Sequence, residues 1–238
     1  MPETSQFEIP LIEGAQAQKH ITANEAFARI DAVTQLRILS KSISAPPTGA
    51  LDGDMYLVAN SGVNEWQNHD DELAIFSNGG WVFLTPKMGW RAWIVDQGRS
   101  SVYDDSAWRD HATVISPGGA ATLHRINEID HTITAGATSQ TSYVIPSGSI
   151  VTGVSLRVLA DITGSGLTGW HLGISGSPQQ YANNLGLSAN TSSAGPSDPR
   201  LVFWSATPLL LTAVGGNFSG GDVRIAVHST QIKPPRIP

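Results

Sequence analysis

The sequence predicts a mainly β protein: an N-terminal arm and a single helix, a small aromatic-rich β-hairpin module, and a C-terminal antiparallel β-sandwich of jelly-roll type. Three observations carry that prediction. The one convincing helix-period stripe lies near the N-terminus. Five of the seven tryptophans (Trp66, Trp81, Trp90, Trp93 and Trp108) crowd between residues 66 and 108 among turn-forming residues. From about residue 128 onward the pattern changes to long β segments, some visibly alternating, joined by Gly, Ser, Asn and Pro turns, with no helix signal.

Taken in order, the chain to Gly14 reads as an extended arm. Thr22 and Glu25 have capping-box spacing, in which a hydroxyl accepts from the amide three residues on and a carboxylate reaches back. Ala23, Ala26, Phe27, Ile30 and Val33 follow at helical spacing, which places a helix at about 22–36. Its apolar stripe packs on a domain or on copies of itself. Residues 36–43 form a weaker strand candidate, and Pro46 and Pro47 force a turn. Strands follow at 54–59, 72–77 and 80–85, the last two joined by Asn78-Gly79, a strong hairpin signal. Segments 90–95 and 101–108 complete the module, with Asp104, Asp105 and Ser106 as a turn. Residues 112–127 read as a linker. Strands are expected at 129–135, 141–145, 150–160, 168–175, 181–187, 200–204, 208–214 and 222–230, before an extended tail. The divisions are thus 1–44 for arm and helix, 45–111 for the aromatic module, 112–127 for the linker and 128–238 for the sandwich.

Composition narrows the function. The 238 residues contain no cysteine, which removes disulfides, thiolate metal sites and a Cys nucleophile. Only 14% are charged, so neutral polar groups cover the surface. The net charge of -6 argues against nucleic-acid binding. Residues 1–124 hold 15 acids and 8 bases, whereas 125–238 hold 5 and 6, which suggests two units with different surfaces. No apolar run approaches the roughly 18 residues of a membrane span, so no membrane insertion is expected. The first residues lack the basic and apolar regions of a secretory signal.

Catalytic and cofactor motifs are absent. No two histidines are spaced three to five residues apart, so no compact metal-ligand pair exists. There is no nucleophile elbow and no phosphate-binding loop, and no cofactor or metal is expected. Asp70, Asp71 and Asp104, Asp105 read as solvated turn formers rather than glycosidase pairs. The aromatic cluster is more informative. A Trp or Tyr plane stacks on the C–H face of a sugar while neighbouring polar groups satisfy its hydroxyls. Trp81 and Trp93 alternate with apolar neighbours and read as core. Trp66, Trp90, Tyr103 and Trp108 sit beside turns or polar residues and are the candidate platforms, with Asp104 and Arg109 as hydroxyl partners. In the second unit Trp170, His171, Tyr181, Asn183, Asn184 and Trp204 form another candidate sugar site, in which Trp170 and Trp204 read more readily as sandwich core. The polar stretch 190–198 reads as a loop long enough to reach a ligand.

Gly14 to His20, Asn24-Glu25-Ala26, Asp31, Val33, Gln35 and Leu36 open a pattern that continues through Pro46, Pro47, Gly53, Tyr56, Val58, Trp66, Ala74, Gly80, Trp81, Gly89, Trp90 and Trp93. Across about residues 9–95 this resembles a family of bacterial prophages and phage-derived gene transfer agents, found in fibre and head-spike proteins. The C-terminal half resembles the β-sandwich heads of phage fibres at Ile145, Gly148, Trp170, Gly173, Pro208, Thr212 and Phe218. The resemblance implies a non-enzymatic, homo-oligomeric (trimeric or pentameric) receptor-binding protein on a phage-like particle. It would be made in the bacterial cytoplasm and be extracellular after release. Its N-terminal segment, with Lys19 and His20, would attach to a capsid or tail base protein, and its partner would be cell-surface or capsular polysaccharide. The alternatives are a capsule depolymerase using Asp70, Asp96 or Asp104, and a purely structural decoration protein.

Overall fold

The computed structural model describes residues 9, 11–12 and 17–237, the side chains of 198–200 excepted. The expected arm and the start of the Gly14–His20 run lie mostly outside the described residues. The chain is mainly β and forms two compact units, residues 1–112 and 113–238. No helix among the described residues is long and apolar enough to cross a membrane.

The first unit begins with α1 (Lys19–Thr34). The helix starts earlier than Thr22, and the capping box does not form. Gln18 precedes the helix in the left-handed region with φ 53°, without a side-chain cap. Thr22 is buried inside the helix, and Glu25 instead accepts from Arg29 at 3.1 Å, one turn on. Val33 and Ala32 enter the core, but Phe27 and Ile30 face solvent.

Seven strands follow: β1 (Leu36–Ile38), β2 (Met55–Leu57), β3 (Leu73–Ser77), β4 (Gly80–Leu84), β5 (Arg91–Ile94), β6 (Arg99–Tyr103) and β7 (Trp108–Asp110). They form two sheets, ordered β2-β3-β4 and β1-β5-β6-β7, in which only the β1–β5 pair is parallel. The β3–β4 hairpin turns at Asn78 (φ 52°) and Gly79 (φ 79°), the positive pair that matches the strand twist. Ile38, Leu73, Leu84 and Ile94 are fully buried between the sheets, each stabilising the unit by about 1.5–3 kcal/mol.

The second unit contains β8 (Ala112–Ile115), β9 (Ala121–Thr132), β10 (Thr138–Ile145), β11 (Ser149–Ser165), β12 (Gly169–Ile174), β13 (Ser177–Leu185), β14 (Ser192–Phe203), β15 (Thr207–Val214) and β16 (Asn217–Lys233). One sheet is ordered β14-β11-β16-β9-β8 and the other β10-β15-β12-β13, so the chain passes repeatedly from one sheet to the other. Trp170, Leu172, Leu209 and Leu211 from the second sheet meet Val154, Leu156, Ile225 and Val227 from the first in one core.

Two expectations are corrected here. The segment 112–127 is not a linker: β8 and most of β9 occupy it, joined by the turn at Ser116-Pro117-Gly118-Gly119. The stretch 190–198 is not a free loop, because β14 pairs with β11 from Arg157↔Ser192 to Gly153↔Pro196. β14 is an edge strand, which is where a proline such as Pro196 is tolerated. A side chain at Gly195 would lie 1.9 Å from the Tyr181 carbonyl, so glycine there permits the close approach of β13 and β14.

Candidate functional site

The tryptophans divide by the parity of their strands. On β5, Ala92 and Ile94 are buried, and Trp90 shares their side with 9% exposure. Arg91 and Trp93 point the other way, and Trp93 is 51% exposed. This reverses the expected roles of Trp90 and Trp93. Trp66, carried on a 3-10 turn (Asn64–Trp66), has 0% exposure. It is the centre of a second small core with Val58 and Ala74. Trp81 packs edge-on against it at 5.1 Å, and Tyr56 lies tilted at 5.7 Å. Neither Trp66 nor Trp90 has a face to offer a sugar.

Tyr103 and Trp108 are half-buried, tilted together at 5.5 Å and packed on the main core of the first unit. Asp104 is 2% exposed and is not a free hydroxyl partner. Its carboxylate accepts from Arg109 Nε at 2.6 Å, the Ser106 amide and hydroxyl at 3.0 and 2.8 Å, and the Ala107 amide at 2.9 Å. Burial alone raises its pKa, but these donors together hold it well below the ordinary carboxylate range. Asp70 is likewise lowered, by the amides of Gly62 and Ser61 at 2.8 and 3.0 Å. Both acids are therefore stabilised in the ionised form, opposite to what a general acid needs. Arg109 is spent on Asp104.

The exposed face of the β1-β5-β6-β7 sheet has a distinct chemistry. Arg37 on β1 pairs in register with Trp93, and Ser100 on β6 lies on its other side. Arg91 precedes Trp93 by two residues on the same face, and its cross-strand neighbours are the buried Val102 and, beyond it, Arg109. Elsewhere in this acidic unit arginines and lysines hold carboxylates: Arg29 with Glu25, Lys41 and Arg99 with Asp110, Arg109 with Asp104. The guanidinium groups of Arg37 and Arg91 have no ion pair or hydrogen bond among the described residues.

In the sandwich, Tyr181 is 4% exposed, in the core, and burial pushes its phenol pKa up to about 12. It is not available to a ligand. Asn183 is exposed on β13, beside Asn184, whose backbone N–H donates to His171 Nδ1 at 3.0 Å. Trp170 is core as expected, its Nε1 donating to the Gly186 carbonyl at 3.0 Å. Trp204 is not core: it follows β14 with 83% exposure, its carbonyl accepting from the Ser147 hydroxyl. The parity of β14 explains it, since Phe203 turns inward and Val202 and Trp204 outward.

Two further hollows lie on the surface. One, of about 330 Å³, lies between α1 and the β3–β4 hairpin, lined by Ile21, Asn24, Arg29, Ile75 and Val82. The other, of about 540 Å³, is an open groove on the outer face of the five-stranded sheet. Ser155, Ala194 and Ala226 line it together with Glu128, Arg157 and Arg224. Its charges are largely self-compensated, with Arg224 held by Asp130 at 2.6 Å and by Glu128 at 3.6 Å. Among the described residues no group of three or more metal-ligating side chains occurs.

Against known proteins, one solved structure that is similar is titled "Cyanophage Pam1 capsid asymmetric unit". It shares 21% identity with a TM-score of 0.36, over 50% of this chain and 94% of that one. No curated protein matches. Residues 23–109, which include three-quarters of α1 and, but for Asp110, the seven strands of the first unit, match a family described as "Protein of unknown function (DUF2793)".

Proposed function

We propose that the protein is a non-enzymatic, homo-oligomeric receptor-binding component, a head spike or fibre, of a phage-like particle or gene transfer agent, and that it binds host cell-surface polysaccharide. The observation that carries this reading is that Trp93 and Trp204 stay uncovered, one on each unit, while Trp66, Trp90 and Trp170 serve as core. An uncovered indole keeps a large rigid apolar face in water, and the C–H face of a pyranose can lie on it with its hydroxyls still wet. The Gly14–Trp93 pattern, which resembles prophage and gene-transfer-agent proteins, supports the particle setting. Phe27 and Ile30, exposed one turn apart on α1, support self-association. Several weak sites on one assembly would then act together through effective concentration.

The test is binding of the full chain to purified surface polysaccharide of the host. Binding is expected, and the double variant Trp93→Ala, Trp204→Ala is expected to weaken it by about tenfold or more. Absence of binding by the assembled protein at any valency would leave only a structural decoration role.

A further inference from the structure

From the Trp93 face we infer that the first unit selects acidic polysaccharide, taking a carboxylate-bearing sugar whose ring lies on Trp93 and whose charge is met by Arg37 and Arg91. This rests on the glycan-binding reading above and names its substrate class.

The geometry is set by the sheet. Arg37 stands beside Trp93 on the neighbouring strand, about 4.8 Å away in backbone terms. Arg91 is on the same strand, about 7 Å along it and on the same face. The two arginines are diagonal neighbours, and like charges this close on one face repel unless a counter-charge lies between them. The first 124 residues carry 15 acids, yet none is recruited to either guanidinium among the described residues. The exposed row instead contains Trp93 and the neutral Ser100. Two cations beside a bare indole, one on the next strand and one two residues along its own strand, in a unit whose net charge is negative, are complementary to an anion joined to a flat apolar ring.

A uronic acid has that form. Its ring face covers the indole, and its carboxylate leaves the ring edge in the plane where a guanidinium can donate two parallel hydrogen bonds. A neutral sugar could stack equally well but would leave both charges uncompensated. The pair lies on an exposed face, so the electrostatic part of the affinity should fall as salt rises, with a screening length of about 8 Å at physiological ionic strength.

The experiment uses the full chain and immobilised polygalacturonate, alginate, hyaluronan and polysialic acid, each beside the same polymer after carboxyl reduction. At least one acidic polymer is expected to bind about tenfold or more tightly than its reduced form. Trp93→Ala and the double variant Arg37→Gln, Arg91→Gln should each remove most of that preference. Leu51→Ala, at an exposed side chain that neither glycan site uses, should leave it within about twofold, and circular dichroism should show every variant folded. If reduced and acidic forms bind alike, or the arginine variant keeps the full preference, the inference fails while glycan binding stands. If none of the eight polymers binds and the host polysaccharide does not bind either, the glycan reading fails with it. Binding to a phosphodiester-linked polysaccharide that is as tight as to the uronates would overturn the choice of carboxylate.

Discussion

The two units use tryptophan differently. The sandwich has long strands and a core of Val, Leu and Ile, in which Trp170 is the single buried indole. Its ring nitrogen reaches the Gly186 carbonyl. The first unit has strands of three to five residues and fills its smaller interior with rings: Trp90 in one cluster, and Trp66 with Tyr56 and Trp81 in another. Short strands contribute few inward side chains, so each must cover more area, and a ring does this best. The density of tryptophan in the first unit therefore reflects the demand of a small core. Trp93 is set apart from that use by its position on the outer side of β5.

The largest expected effects are in the two cores. Trp66→Ala and Trp170→Ala should each cost about 3–5 kcal/mol, a large part of a typical domain's stability. Hydrogen exchange should show the loss in the first unit for Trp66 and in the sandwich for Trp170. Phenylalanine sharpens the comparison. Trp66 Nε1 has no hydrogen-bond partner among the described residues, whereas Trp170 Nε1 has one. Trp170→Phe should therefore be costlier than Trp66→Phe by about 1 kcal/mol in thermal melts.

Asp104 comes next. Asp104→Asn removes the charge that Arg109, Ser106 and Ala107 converge on and should cost about 3 kcal/mol. The pH dependence follows from the lowered pKa of the folded state. The contribution is fully present above the unfolded carboxyl's pKa of about 4 and is lost as pH falls below it toward the folded value. Denaturant melts from pH 6 to pH 2 should show this loss in the native protein and a shallower one in Asp104→Asn. The smallest structural effect is at the exposed ring: Trp93→Ala should change stability by less than about 1 kcal/mol while reducing glycan binding.

Much of the fold is legible in the chain. The β3–β4 hairpin follows from Asn78-Gly79, and β11 and β16 alternate visibly. β9 is hidden because its apolar residues are out of phase: Ile126 faces solvent, while Arg125 and Asn127 lie on the inner side between Leu123 and Ile129. β14 is hidden by Gly195 and Pro196, which only an edge strand accepts. The candidate surface is less legible, because a tryptophan's identity does not say which side of a strand it takes. A signal was nevertheless present. Arg91 and Trp93 share one parity and Trp90, Ala92 and Ile94 the other, so an outward arginine implies an outward Trp93. The pairing of Arg37 with Trp93 depends on a parallel contact across more than fifty residues, which no local pattern encodes.

The most direct measurement is the set of indole N–H resonances of the ¹⁵N-labelled full chain, followed as an acidic polysaccharide is added. Trp93 is expected to shift most, and Trp66, Trp90 and Trp170 should stay in place. Shifts confined to the buried indoles, or binding with Trp93 unmoved, would contradict the assignment of the glycan to the outer face of β5.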